Sequence, residues 1–299
     1  MKISVIIPCY NNEESLFELM QRMREVQGHQ IFLGHNFEYV MVDDGSKDQT
    51  FNKQLEIKKG CPEEVKIVKL TRNFGSYNAF LAGMYHASGD CNVYLHADLQ
   101  DPPELIPQLF QEHLKGNKLV IANRLDREDK SLFSTLYHWM VKKFAIKDIP
   151  TGGFDLILFD AQIRDDLIKI SEKNTNNVYL IAWLGYPYVN IPYKRSERKH
   201  GRSQWLFWKK VRMFVDTFFS FSNIPLNFIR VSFCISVLIF IATYTSILFH
   251  LIHRHAIIYG ALSLILLLCC LNFLIIGEFL IRIHDTVRKR PNFVVNDVI

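Results

Sequence analysis

Short runs of β-branched and apolar residues recur along the first 125 positions. Each is followed by a turn and then by a stretch with helical periodicity. KISVIIP, FEYVMVDD, VKIVKL, CNVYL and KLVIA are the apolar runs. Their length and their flanking turn residues predict strands. Between them, residues 13–26, 48–59, 76–88 and 103–115 predict helices. Strands alternating with helices predict an α/β domain built on a mostly parallel sheet with helices on both faces. No internal repeat or low-complexity stretch interrupts the pattern.

Beyond residue 203 the texture changes. In WLFWKKVRMFVDTFFSFS (205–222), Trp205, Phe207, Trp208, Val211, Phe214, Val215 and Phe218 recur at roughly helical spacing, with Lys209, Lys210, Arg212 and Asp216 on the remaining face. This predicts a basic, aromatic amphipathic helix, either lying in a headgroup layer or closing the core of the soluble domain. Two apolar runs follow, 231–252 and 257–281. Each is about 20 residues or more, enough to cross roughly 30 Å of hydrocarbon. Nine basic residues lie between 194 and 230 and four between 282 and 290, while the connection between the runs has only Arg254. By the positive-inside rule both ends are cytoplasmic. Glu278 is expected to pair with Arg282 one turn away, or to lie at the interface. The expected organisation is a cytoplasmic catalytic domain (1–203), an interfacial helix (204–228) and a two-helix hairpin with a cytoplasmic tail (229–299), in the inner membrane. MKISVIIPCYNNEES reads as a strand and not as a signal peptide, because its apolar run is too short for an h-region.

Composition adds little to this and excludes some classes. The chain has 299 residues and a formal net charge of +5. Its basic residues flank the apolar runs, so the positive balance points to a membrane surface and no nucleic-acid partner is expected. The six cysteines show no CxxC or paired spacing, which argues against a disulfide framework or a zinc site. No GxGxxG or GxxxxGK[ST] is present, so neither a dinucleotide fold nor a P-loop is indicated.

In an open parallel sheet, ligands bind beyond the carboxyl ends of the strands. Polar clusters follow three predicted strands: PCYNNEE, DDGSKDQT and HADLQD. DDGS by itself could be no more than a turn and helix cap through Ser46 or Asp48. HADLQ is more specific. His96, Asp98 and Gln100 alternate, so an extended chain would turn an imidazole, a carboxylate and an amide oxygen to one face, a candidate divalent-metal clamp.

PCYNNEES, VDDGSKDQT, LTRNFGSYNAFLAGMYHASGD and HADLQDPPELIP, in this order and spacing, resemble the inverting GT-A glycosyltransferases of family 2. With the two C-terminal spans, the chain resembles the polyprenyl-phosphate glycosyltransferases, relatives of dolichol-phosphate mannose synthase. The resemblance implies transfer of one sugar from a nucleotide sugar, expected to be a UDP-sugar, to polyprenyl (undecaprenyl) phosphate. It implies a divalent cation, Mn2+ or Mg2+, and often a homo-oligomer such as a tetramer. Carried over by residue, Pro8, Cys9, Tyr10, Asn12, Asp43, Asp44, Ser46, Ala97 and Asp98 would hold the donor, and His96, Asp98 and Gln100 the metal. Arg124, in IANR, would meet the acceptor phosphate, and Gly152 and Gly153, in the acceptor-side motif PTGGFDLILFD, would let the backbone approach the sugar closely. Arg198 and Arg202 in RSERKHGRSQW would neutralise the leaving diphosphate, or else form a headgroup patch. The chain departs from the family pattern at His96, where relatives carry Asp, and at Asn12, where they often carry Glu.

A lipid phosphate is already anionic and needs no general base. Attack on a sugar hydroxyl would need one, and Asp155 is the carboxylate available for it, unless it is only a solvated charge opening a strand. Two other readings stay open: a transferase extending a lipid-linked glycan, and a non-catalytic nucleotide-sugar-binding subunit that has lost activity through His96.

Overall fold

A computed structural model describes residues 1–125, 139–146, 156–170, 177–195, 207–248 and 255–299. Its centre is an eight-stranded sheet of order β7-β5-β6-β4-β1-β2-β3-β8. The strands are β1 (Lys2–Cys9), β2 (Asn36–Asp43), β3 (Val65–Leu70), β4 (Cys91–Tyr94), β5 (Leu119–Arg124), β6 (Leu156–Asp160), β7 (Tyr188–Tyr193) and β8 (Val295–Val298). β1 pairs in parallel with β2 and β4, β2 with β3, and β5 with β7. Only β6 and β8 run antiparallel to their neighbours. The five strands expected from apolar runs all form.

Helices cover both faces: α1 (Leu16–Gln27), α2 (Thr50–Gly60) and α4 (Ile106–Leu114) on one, α3 (Ser76–His86), α5 (Ala161–Lys169) and α6 (Asn177–Trp183) on the other. Alternate side chains of a strand point to opposite faces, and β1 shows it. Ile3, Val5 and Ile7 join Leu16, Leu19, Met23 and Phe110 in one core layer, and Ile6 joins Phe80, Leu81 and Met84 in the other. α3 sits so close to the sheet that a Cβ at Gly83 would run into Ile6 Cγ2.

The C-terminal third begins with α7 (Phe207–Phe221), which closes part of the core. Phe218 is buried in the same layer as Phe80, while Val211 and Phe214 are exposed. α8 (Ile224–Leu248) and α9 (His255–Val287) follow. Both are long and apolar enough to cross a membrane, over Ile224–Ser246 and Ile258–Val287. Ser232 on α8 donates its hydroxyl to Asn272 Oδ1 on α9 at 2.8 Å. The expected Glu278–Arg282 pair forms at 3.0 Å, and Arg282 also reaches Asp216 on α7 at 2.7 Å. One guanidinium thus ties the amphipathic helix to the second apolar helix. Past α9 the chain returns to the sheet and adds β8 to its edge.

Candidate active site

Because β1, β2, β4, β5 and β7 run in the same direction, their carboxyl ends share one edge of the sheet. Along it lie the residues after Cys9, Asp43, Tyr94, Arg124 and Tyr193. β6 runs the other way and begins at Leu156, opposite Ala122, so it starts at this same edge.

The β1 and β2 ends are stitched together. Asn11, with a positive φ of 54°, donates its amide to Ser46 Oγ at 3.1 Å and accepts the Lys47 amide at 2.9 Å. Asn12 caps the turn by accepting the Tyr10 amide at 2.8 Å and donates its own amide to Thr50 Oγ1 at 2.7 Å. Pro8 and Cys9 are buried in the strand, and burial pushes the Cys9 thiol up to about 12, so it is inert.

Asp43 and Asp44 are adjacent and both buried, yet they are used differently. Asp44 accepts the Phe74 amide on Oδ1 at 2.7 Å and the Gly75 amide on Oδ2 at 2.9 Å. Burial raises its pKa to about 6; those two amides offset part of the rise, and the Asp43 charge adds to it. Asp43 accepts the Ser46 amide on Oδ1 at 3.1 Å, while its buried Oδ2 has no hydrogen-bond partner among the described residues. Gly45 between Asp44 and Ser46 has φ 66°, and a Cβ there would lie 2.5 Å from the Arg72 carbonyl carbon. Only glycine permits this contact between the 43–46 turn and the 71–75 loop.

β4 stops at Tyr94, so HADLQ is a turn and not the extended strand end expected from its alternation. The alternation nevertheless survives in burial: His96, Asp98 and Gln100 are half-buried, and Leu95, Ala97 and Leu99 are buried. Leu99 adopts φ 59°, and Asp98 Oδ1 accepts the Gln100 amide at 3.2 Å, which closes the turn. The Ala97 carbonyl accepts the Ser15 hydroxyl at 2.6 Å, anchoring the turn to α1. His96 packs on Tyr94 with ring centroids 4.8 Å apart. Burial lowers its pKa, opposed by the charges of Asp101 and Asp98 and assisted by those of Arg195 and Arg124. Burial thus disfavours the imidazolium form.

An imidazole nitrogen, a carboxylate and an amide oxygen suit a divalent cation, manganese better than magnesium. Among the described residues no three His, Cys, Asp or Glu side chains gather into a metal-binding group.

At the β5–β7 end, Arg124 stands in register with Tyr193. Tyr193 donates its hydroxyl to Asp101 Oδ1 at 2.5 Å, and Arg195 pairs with the same oxygen at 3.2 Å. Asp101 is fully buried. Burial alone would raise its pKa, but Arg195, His96 and Arg124 hold it below the usual carboxylate value. Sequence reading missed this trio. Its one signal was Asp101 itself, which breaks the alternation of 96, 98 and 100. Gly152, Gly153, Asp155, Arg198 and Arg202 lie outside the described residues.

A carboxylate and a mixed-donor turn at one end of the strand row, with guanidinium groups at the other, define an open-sheet α/β protein with a polar candidate cleft beyond the strand ends. The Glycosyl transferase family 2 profile matches residues 4–164. An uncharacterized glycosyltransferase of Synechocystis sp. is 30% identical over 308 residues, covering 100% of this chain and 96% of its own. The undecaprenyl-phosphate 4-deoxy-4-formamido-L-arabinose transferase of Edwardsiella ictaluri is 27% identical, with 99% and 94% covered. Among solved structures, a mannosyltransferase from Pyrobaculum calidifontis in complex with GDP-Man and Mn2+ is 21% identical with a TM-score of 0.49, over 67% of this chain and 57% of its own. The chain belongs to glycosyl transferase family 2 and is a glycosyltransferase.

Proposed function

We propose that the protein transfers one sugar from a nucleotide sugar, a UDP-sugar in the first instance, to undecaprenyl phosphate or a related polyprenyl phosphate, inverting the anomeric linkage. The transfer would take place at the cytoplasmic face of the membrane. The observation that carries the reading is Asp43 Oδ2, a buried carboxylate oxygen without a partner among the described residues. Such an oxygen is costly unless a ligand completes it. The N–H edge of a base or a ribose hydroxyl at the end of β2 would do so. Two helices of membrane-spanning length in the same chain favour a lipid acceptor, as does the acceptor in the name of the Edwardsiella relative.

The lipid phosphate arrives as an anion, so its oxygen can attack the anomeric carbon without a general base. The protein's task is to hold donor and acceptor in line and to stabilise charge on the departing diphosphate. Asp43 would seat the nucleoside. Arg124 would hold the acceptor phosphate, and Arg198 and Arg202 would face the diphosphate. His96, Asp98 and Gln100 would hold a divalent cation, whose chemistry there is to neutralise diphosphate oxygens. Asp155 would be dispensable in this reading and essential if the acceptor were a hydroxyl.

The test is a donor panel with purified full-length protein, scoring release of nucleoside diphosphate. Release that depends on added polyprenyl phosphate is the expected result. Equal release with and without the lipid would sink the lipid-phosphate acceptor.

A further inference from the structure

Around Asp101, two segments distant in sequence converge on one buried carboxylate. Asp101 follows β4, Tyr193 ends β7, and Arg195 is two residues beyond it. Tyr193 donates to Asp101 Oδ1 at 2.5 Å. Arg195 reaches Oδ1 with Nε at 3.2 Å and Oδ2 with Nη2 at 3.4 Å. Arg124 stands beside Tyr193 in the parallel β5–β7 ladder, and the Leu125 amide donates to the Tyr193 carbonyl at 2.9 Å.

Assuming the nucleotide-sugar reading above, we infer that Arg195 is a further diphosphate-binding residue and that Asp101 is the positioning residue that holds it. Three features support this. A buried ion pair seldom adds net stability, because desolvating both charges costs about as much as their attraction returns; a tie of this kind at a cleft edge is better explained by what it holds in place. A guanidinium has five N–H donors in a planar fork, so it can serve a carboxylate and a phosphate together. Two guanidinium groups also stand at this end: Arg124 and Arg195 both act electrostatically on Asp101 and, in the adjoining turn, on His96. A diphosphate lying between that turn and the β5–β7 ends would meet both. Tyr193 completes the device: its hydroxyl takes one Asp101 lone pair and fixes the carboxylate plane against which the guanidinium rests.

The experiment is a mutant cycle on the full-length protein in detergent, titrating UDP and GDP in the presence of MnCl2 by calorimetry, with unfolding temperatures recorded in parallel. Arg195→Gln is expected to weaken binding of the preferred nucleotide about 10-fold, the scale of one charge-assisted contact. Asp101→Asn should weaken it several-fold. The double variant should bind no worse than Arg195→Gln, because Asp101 acts only through Arg195. Arg195→Lys, which keeps the charge and loses the fork, should recover only part of the loss. Tyr193→Phe keeps the ion pair and should have a smaller effect that also vanishes in the Arg195→Gln background; it decides the matter if Asp101→Asn does not fold. Additive losses, or wild-type affinity in Arg195→Gln with only a lower unfolding temperature, would overturn the inference. Wild-type protein that binds neither nucleotide would refute the nucleotide-sugar reading itself, and this inference with it.

Discussion

Ile299, the last residue, exchanges both backbone hydrogen bonds with Ile67 on β3, N to O at 2.8 Å in one direction and 2.9 Å in the other. Val68 and Val298 are paired beside them, and the Thr71 amide continues the ladder to the Val294 carbonyl at 3.0 Å. The chain therefore leaves the catalytic sheet, runs through two apolar helices and comes back to the same sheet. If those helices cross a bilayer, they do so as a hairpin with both ends on one side.

A reporter fused after Asn296 is accordingly expected on the same side as the catalytic domain, and one inserted near His255 on the opposite side. By the charge bias around the spans, the shared side is predicted to be the cytoplasmic one. Protease or dye access to position 255 from the cytoplasm would exclude a spanning hairpin. Removing residues 294–299 should also expose the β3 edge. We expect a lower unfolding temperature and increased self-association, read by light scattering.

Asp43 and Asp44 should separate in their effects. Asp43→Asn is expected to weaken nucleotide binding by about 10-fold or more, the loss of one charge-assisted contact, with little change in unfolding temperature. Asp44→Asn places an NH2 group against one of the two amides of Phe74 and Gly75. It should lower stability by about 1–3 kcal/mol. Calorimetry for binding and a thermal melt for stability distinguish the two. The same loss of affinity without loss of stability in Asp44→Asn would remove its clamp role.

Acid sensitivity should trace to Glu38, which lies buried on β2 at the opposite edge from the cleft. Burial alone would raise its pKa. Hydrogen bonds from Ser4, the Ser88 amide and Lys66 more than offset this and hold it at about 2, against an ordinary 4.5. A carboxyl lowered on folding stabilises above its unfolded pKa and loses that contribution as pH falls from about 4.5 toward 2. Melts across this window should show a steep loss in the wild type and a flatter profile, from a lower starting point, in Glu38→Gln. Parallel profiles for the two proteins would acquit Glu38.

Metal dependence should centre on Asp98. We expect EDTA to abolish transfer, manganese to restore it better than magnesium, and Asp98→Ala to lose it. His96→Asp should shift the preference toward magnesium if residue 96 touches the ion. The structure sharpens this test, because a carboxylate at 96 would join Asp98 and Asp101 and be tolerated only with a cation between them. An unchanged manganese-to-magnesium rate ratio would take His96 out of the metal shell. Arg198→Ala and Arg202→Ala should each lower kcat by about 10-fold; normal kcat with weaker vesicle binding would make that segment a headgroup patch.

The five strands from β1 to β5, the helices α1 to α4 and the two apolar helices were legible in the chain because each depends on a local period: apolar runs, helical spacing, or unbroken hydrophobicity over a bilayer's width. The ordered motifs at three strand ends were legible for the same reason, since a parallel sheet brings those ends to one edge. Tertiary structure alone decided the rest. YVNIPY carries a proline and little alternation, and VNDV is four residues long, so neither reads as a strand until β5 and β3 supply the missing hydrogen bonds. The division of labour between Asp43 and Asp44 depends on which carboxylate meets the amides at 74 and 75, thirty residues on. The meeting of Asp101 with Tyr193 and Arg195 spans more than ninety residues. Backbone periodicity fixes which face a residue occupies, but the partner waiting on that face is set by pairing between segments far apart in the chain, which no local pattern encodes.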